Sequence, residues 1–206
     1  MARRIKEAPI VHQNRIAEKA LILFTQKGIA NTKMDEIAAA AGYGKATLYV
    51  YFKNKEDIVS FLALQSMEKL KAALSDAVHK GNNAKEIFFS MCNALVLFQE
   101  EYPAFFEQAL HSIQIRKEED GWLGKTYQIG EGINRIIMQY METGIADQEL
   151  APVDDYFKTI FLIWGMVTGM IKLASEKEEY LLTEGKLTKE QFLREGFEKI
   201  FKMISR

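Results

Sequence analysis

Apolar residues recur every three to four positions through nearly the whole chain, and this periodicity is what most limits the possible fold. Only three prolines interrupt 206 residues, and few stretches alternate apolar with polar residues as strands do, so the pattern reads all-α. A first helix is expected over 10–27, with Ile16, Ala17, Ala20, Leu21 and Phe24 on one face and Gly28 as a left-handed stop. A short second helix follows from Thr32, where Thr32 and Asp35 form a variant of the capping box. Its inward stripe is Met34, Ile37, Ala38 and Ala41, and Gly42 ends it. A third helix covers about 44–52, and Asn54 caps a long fourth over 55–79, with Ile58, Phe61, Leu62 and Leu70 inward.

Beyond residue 80 the helices change character. Ile87–Phe98 is apolar nearly all round and reads as a central helix buried on every side. Pro103 opens a short helix to about His111, and a long one is expected over 126–143. A loop follows from Gly144. The last two helices span 154–175 and 188–205, the latter opened by a Thr188–Gln191 capping box. The charged stretch between them is a hairpin connection or a frayed helix end.

Charge is divided unevenly. Residues 1–60 carry 10 Lys/Arg against 6 Asp/Glu, whereas 61–206 carry 17 against 22. A basic head on an acidic body predicts that a polyanion is met at one end only. Cys92 is the single cysteine, which excludes an intramolecular disulfide and suits a cytoplasmic home. Arg3, Arg4 and Lys6 precede no apolar segment of the secretory kind. The longest apolar run, Thr159–Ile171, is closed by Lys158 and Lys172 and falls short of the ~20 residues that span a bilayer. The expectation is a soluble protein with no membrane partner.

Residues 42–57, GYGKATLYVYFKNKED, draw the functional question. Lys45, Lys53 and Lys55 have no acid among them until Glu56. Two short helices joined by a Gly-containing turn, after a longer helix, make a helix-turn-helix, with the motif over about 33–52 inside a domain at 10–56. On the third helix Leu48 and Phe52 fall inward, and Ala46, Thr47 and Val50 lie opposite, flanked by Lys45, Tyr49 and Tyr51. Small residues there admit a close approach to a groove floor, and long polar ones reach base edges or phosphates. A lysine at position 55 opposes the helix dipole and so needs another role, such as holding an anion.

Three runs then fit one family. They are LFTQKG at the end of the first helix, the T-x-x-x-x-I-A pattern of the second within TKMDEIAAAAG, and TLYVYFKNKE. Together, over about residues 10–60, they resemble the N-terminal domain of the TetR family of bacterial transcriptional regulators. The G-x-x-x-x-x-L-x-P loop at 144–152 is a weaker echo. The resemblance implies an all-helical homodimer that binds a palindromic operator as a repressor and leaves it when a small molecule occupies the C-terminal domain. It implies base-reading positions at Lys45, Ala46, Thr47 and Tyr49, and phosphate contacts at Tyr43, Tyr51 and Lys55. Thr32 and Lys33 match the start of the second helix. Gly44 stands where Ser or Thr is common, so it could contact DNA only through its backbone.

The remaining domain, 57–206, is expected to hold effector and partner. Phe161, Gly165, Thr168 and Gly169 on the penultimate helix, with Phe197, Ile200, Phe201 and Ile204 on the last, are the expected dimer surface, a glycine pair permitting close helix approach. Phe88, Met91, Cys92, Phe98, Phe105, Phe106, Trp122, Tyr127, Met138, Met141 and Trp164 supply large adaptable side chains for a hydrophobic or aromatic effector. No catalytic or metal arrangement is legible. His12, His79 and His111 have no histidine partner at i,i+4, and neither C-x-x-C, P-loop nor G-x-S-x-G occurs. No cofactor or metal is therefore expected. The rival reading is a helical small-molecule carrier or scaffold that keeps the fold without binding an operator.

Overall fold

The computed structural model of the chain describes residues 7–111 and 121–206. In chain order the helices are α1 (Pro9–Lys27), α2 (Met34–Ala41), α3 (Lys45–Tyr51), α4 (Lys55–Lys80), α5 (Ala84–Glu101), α6 (Pro103–His111), α7 (Trp122–Ala146), α8 (Tyr156–Glu176), α9 (Glu178–Thr183) and α10 (Lys189–Ile204). The fold is all-α, as the periodicity implies. Two compact units divide it. One comprises α1–α3, the first part of α4 to Gln65 and residues 121–125, the start of α7; the other comprises the rest of α4, α5, α6, α7 from Thr126 and the helices after it.

In the first unit α1 turns Ile16, Ala17, Ala20 and Phe24 inward, against Ile37, Ala38 and Ala41 of α2 and Leu48 of α3. Phe52, the residue that stops α3, is 1% exposed, and its ring meets Phe61 edge-on at 5.4 Å. Gly28 has φ +82°, but its ψ of 154° is extended rather than left-handed helical. The α2 cap lies one residue beyond its expected place. Lys33, not Thr32, is the N-cap, and its N–H donates to the Glu36 carboxylate at 2.7 Å. Asn54 caps α4 by accepting from the Asp57 N–H at 2.8 Å, and Asp57 accepts from the Lys53 N–H at 3.0 Å.

In the second unit α5 presents Phe88, Met91, Cys92, Leu95 and Phe98 to the core. It is not buried all round: Ser90 and Asn93 are exposed and Leu97 is 56% exposed, leaving one strip of the helix open. α10 packs chiefly on α8, with Phe201 also 5.5 Å from Phe88, and its capping box forms as read, Thr188 and Gln191 exchanging bonds of 3.2 and 2.9 Å. α7 starts earlier and ends later than expected. Near its end at Ala146, Gly144 lets Leu150 close in, where an added Cβ would stand 2.6 Å from the leucine side chain. α8 extends well past its apolar run. Its 21 residues, at a mean hydropathy of 1.4, have the length and composition to cross a membrane, yet one face is buried against α10 and α5.

Candidate nucleic-acid interface and apolar cavity

α3 is held from one side only. Leu48 is fully buried, while Gly44, Lys45, Ala46, Thr47, Tyr49 and Val50 are all exposed. Val50, at 78% exposed, is the outermost apolar side chain of the helix, and periodicity alone does not tell such a residue from a stray surface valine. The small N-terminal residues and the outward polar ones share one open surface, the form that a groove-entering helix requires.

Lys45 lies in an open groove with Lys33, Met34, Asp35 and Tyr49. Its ammonium pairs with Asp35 at 2.9 Å, and that hydrogen bond holds the Lys45 pKa above the usual lysine range. Tyr43, just before α3, and Tyr51, its last residue, stand in a small cluster that α1 completes. His12 Nδ1 is 2.7 Å from the Tyr43 hydroxyl, and Arg15 donates to the same oxygen at 2.9 Å. The His12 ring stacks on Tyr51 at 5.0 Å between centroids. Neither His12 nor Arg15 belongs to the motif. Their signal in the sequence is only an i,i+3 polar pair on the first helix.

Two expected DNA contacts have other work in this chain. Thr32 is 2% exposed, and its hydroxyl donates to the Gly28 carbonyl at 2.9 Å. Lys55 reaches back to the α1–α2 turn, donating to the carbonyls of Ile29, Ala30 and Thr32 at 2.6, 3.2 and 3.0 Å. An ammonium has three protons, so all of them are engaged. The lysine that opposes the α4 dipole is there to fasten a turn.

The second unit encloses a cavity of about 50 Å³. Phe88, Met91, Cys92, Met141 and Trp164 line it as expected, joined by Leu74, Ile137, Tyr140, Ile160 and Val167 among others. Phe98, Phe105 and Phe106 do not. They are buried in the α5–α6 corner, with Phe98 and Phe106 at 6.3 Å. Trp122 belongs to the first unit and packs edge-on against Phe61 at 4.9 Å. Met138 is 37% exposed and Tyr127 half-buried, and neither reaches the cavity wall. Burial pushes the Cys92 thiol and the Tyr140 phenol up, out of the range in which either ionises near neutrality. The Tyr140 hydroxyl donates to the Ala84 carbonyl at 2.9 Å.

The expected dimer surface divides as well. Phe197, Ile200, Phe201 and Ile204 are buried in their own chain, Ile204 lining the cavity, and Thr168 is 1% exposed with its hydroxyl on the Trp164 carbonyl. Two adjacent helices of one chain satisfy each other's apolar stripes, so those of α10 are occupied. What remains open lies chiefly on α8, with Phe157 at 65%, Phe161 at 40%, Leu162 at 61% and Leu173 at 47% exposed, besides Met203 of α10. Gly165 and Gly169 lie on the same face, and neither has an atom of the chain within 4 Å of where a Cβ would be.

Comparison with known proteins agrees with this geometry. Residues 16–60 match the family model for bacterial regulatory proteins of the tetR family. The HTH-type transcriptional regulator AcrR of Shigella flexneri is 40% identical over 60 residues, 29% of this chain and 28% of that protein, so the match spans less than a third of the curated relative. The TetR family transcriptional regulator PfmR from Thermus thermophilus is 25% identical with a TM-score of 0.67, over 91% of this chain and 97% of that one. The transcriptional regulator FadR from Bacillus subtilis, solved in complex with stearoyl-CoA, has the same TM-score and coverage at 19% identity, a likeness of fold. The N-terminal unit of this chain thus matches the tetR family of bacterial regulatory proteins, and its all-helical architecture is similar to that of a solved TetR family transcriptional regulator.

Proposed function

We propose that the chain is a cytoplasmic DNA-binding transcriptional regulator, a homodimer that represses from a palindromic operator and is released by a small apolar or aromatic effector. The observation that carries this is the outward face of α3, where no side chain from Lys45 to Thr47 is needed by the core. Lys45, Ala46, Thr47 and Tyr49 are assigned to base edges, Tyr43, Tyr51 and Lys33 to phosphates, and Gly44 to a backbone contact. Thr32 and Lys55 are reassigned to holding the turn that delivers α2.

One helix-turn-helix reads few base pairs, so pairing on a two-fold site is the usual route to specificity. The open α8 face supports this. Glycines that nothing in their own chain requires, beside Phe157, Phe161 and Leu162, fit the close approach of the same face of a second copy. A partner copy also accounts for an apolar surface that reads as membrane-like by composition.

The cavity supports a neutral effector, since no charged side chain among the described residues lines it. At about 50 Å³ it is far below the roughly 300–1,000 Å³ of drug-sized ligand sites. A ligand must therefore reshape the wall, and Met91, Met141 and Trp164 are the side chains able to move aside. Release then requires tighter binding to the reshaped state than to the operator-binding one, and a tenfold weakening needs only about 1.4 kcal/mol. By linkage the operator must weaken effector binding by the same factor. α4 belongs to both units, and its Leu74 lines the cavity, giving a continuous element through which that difference can be expressed.

The test is a gel-shift titration with the duplex upstream of the chain's own coding sequence against a scrambled duplex of equal composition. Preference for the former, lost in Lys45→Ala, supports the regulator. Equal weak binding to both, with retained affinity for apolar compounds, would favour the carrier.

A further inference from the structure

We propose that His12 is a positioning residue of the DNA interface and that it couples uptake of one proton to tighter duplex binding, an inference that rests on the operator-binding reading above. His12 Nδ1 faces the Tyr43 hydroxyl at 2.7 Å, and which of the two donates depends on where the imidazole carries its proton. The phenol oxygen has one proton to donate and two lone pairs. Arg15 already donates into one of these at 2.9 Å, and His12 Nδ1 lies 2.7 Å away. While the imidazole is neutral with its proton on Nε2, the short contact is satisfied only if Tyr43 donates to Nδ1. Its proton then points into the protein and is not available to a phosphate.

Protonation reverses that bond. An imidazolium carries hydrogen on both nitrogens, so Nδ1 becomes the donor and the phenol oxygen accepts from both His12 and Arg15. The Tyr43 proton must then turn outward, where a phosphate oxygen can accept it. The same event places a new positive charge under Tyr51, whose ring stacks on His12 at 5.0 Å and 23°. Both effects favour a polyanion. The groups that face His12 are Glu7 just before α1, Arg15 on α1, Tyr43 from the α2–α3 turn and Tyr51 from α3. The Glu7 carboxylate stands 3.7 Å from both His12 Nε2 and an Arg15 nitrogen.

The sign follows. If the protonated form binds DNA better, affinity rises as pH falls, and DNA must favour protonation of His12 by the same factor. The experiment uses the full chain and a duplex selected from a random library at neutral pH, with affinities measured between about pH 5.5 and 8. Wild type is expected to bind about three- to tenfold tighter at the acid end, the worth of one hydrogen bond. The dependence should vanish in His12→Asn, which retains a polar group near the Nδ1 position, and should shrink in Tyr43→Phe, which retains the ring and leaves only the charge under Tyr51. Histidine resonances followed by NMR should place the His12 titration higher in the complex than in the free chain, which a merely structural role would not do. A pH-flat wild type, a slope that survives His12→Asn, or an unmoved His12 titration would each overturn the coupling while leaving operator binding intact. A wild type that selects no duplex at all would instead overturn the regulator, and this inference with it.

Discussion

The two units use the same kinds of side chain in opposite ways. In the first, tyrosine, histidine and lysine gather at the surface around α3, and the core beneath is small and complete, with Ile16, Ile37, Leu48 and Ile58 fully buried. In the second, aromatic and methionine side chains line a cavity, and the most continuous open apolar surface is one face of α8. Under the proposed function, a rigid reader and a soft sensor would need these opposite arrangements. Bases demand fixed geometry over a settled core, whereas a ligand switch demands a core with two packings close in energy. The chain thus keeps its chemistry outside in one unit and inside in the other.

The sharpest way to break the comparison is to attack the open face of α8. Phe161→Glu with Leu162→Glu removes two apolar anchors and sets charges where a second copy would sit. Each apolar side chain buried in an interface contributes about 1.5–3 kcal/mol, and two-fold symmetry counts each one twice. The variant is therefore expected to sediment as a monomer and to lose operator binding by more than about a hundredfold, with an unchanged helical spectrum. Gly169→Leu should act alike, since its own chain offers the leucine open space. A wild type that sediments as a monomer at micromolar concentration would remove this face from the account.

Lys55 tests the reader's rigidity. Lys55→Met removes a charged donor from three carbonyls, at a cost of about 1.5–3 kcal/mol to the first unit, nearer the lower figure because water can replace it. Thermal unfolding should show the loss, and operator affinity should fall with it. The slope of log K against log salt should stay as in wild type. A slope shallower by about 1 would mean that Lys55 leaves the turn and neutralises a phosphate in the complex.

Much of the first unit was legible because its signals are local. Gly28, Gly42 and Asn54 mark helix ends by backbone chemistry, and Leu48 and Phe52 share a face by simple periodicity. What escaped was contact between distant segments. Nothing local joins Lys55 to Ile29, or His12 to Tyr43, and the Thr32 hydroxyl turns back to Gly28 although its spacing to Asp35 suits a cap. The second unit was harder for a related reason. Composition shows that Phe98, Phe105 and Met91 are apolar, but only the meeting of α4, α5, α7 and α8 decides which of them line a cavity and which fill a corner. The α10 stripe was assigned to a partner because a sequence does not reveal whether the neighbouring helix belongs to the same chain.

Asp35 offers a gentler test. It neutralises Lys45 in the free chain at 2.9 Å, so DNA must displace a carboxylate before it can use the ammonium. Asp35→Asn should tighten binding to every duplex, by no more than about fivefold given the small worth of exposed ion pairs. Its effect should be as large on scrambled DNA as on operator, so affinity rises with no gain in discrimination. Unchanged affinity for both duplexes would show that the pair dissolves in solution before DNA arrives.

The smallest effect concerns acid. Glu36 accepts hydrogen bonds from the Lys27 side chain and from the Lys33 N–H, and these hold its pKa below the usual glutamate range. A carboxyl with a depressed folded-state pKa binds protons more readily when unfolded. Its contribution to stability is therefore complete above the ordinary glutamate pKa and is lost as pH falls through the lower, folded value. The group is exposed, so the contribution is slight. It acts, however, at the N-terminus of α2, where the N-cap would otherwise leave its N–H to water. Glu36→Gln keeps an acceptor for Lys33 but removes the charge that Lys27 meets at 2.6 Å. The variant should unfold slightly earlier than wild type at neutral pH, and the two should converge as the pH drops below the range in which Glu36 is ionised. The second unit, whose core is apolar, should show no matching convergence when its own transition is followed through Trp164. If the difference between variant and wild type persisted unchanged into acid, the Glu36 charge would have no part in holding α2, and the acceptor alone would account for the cap.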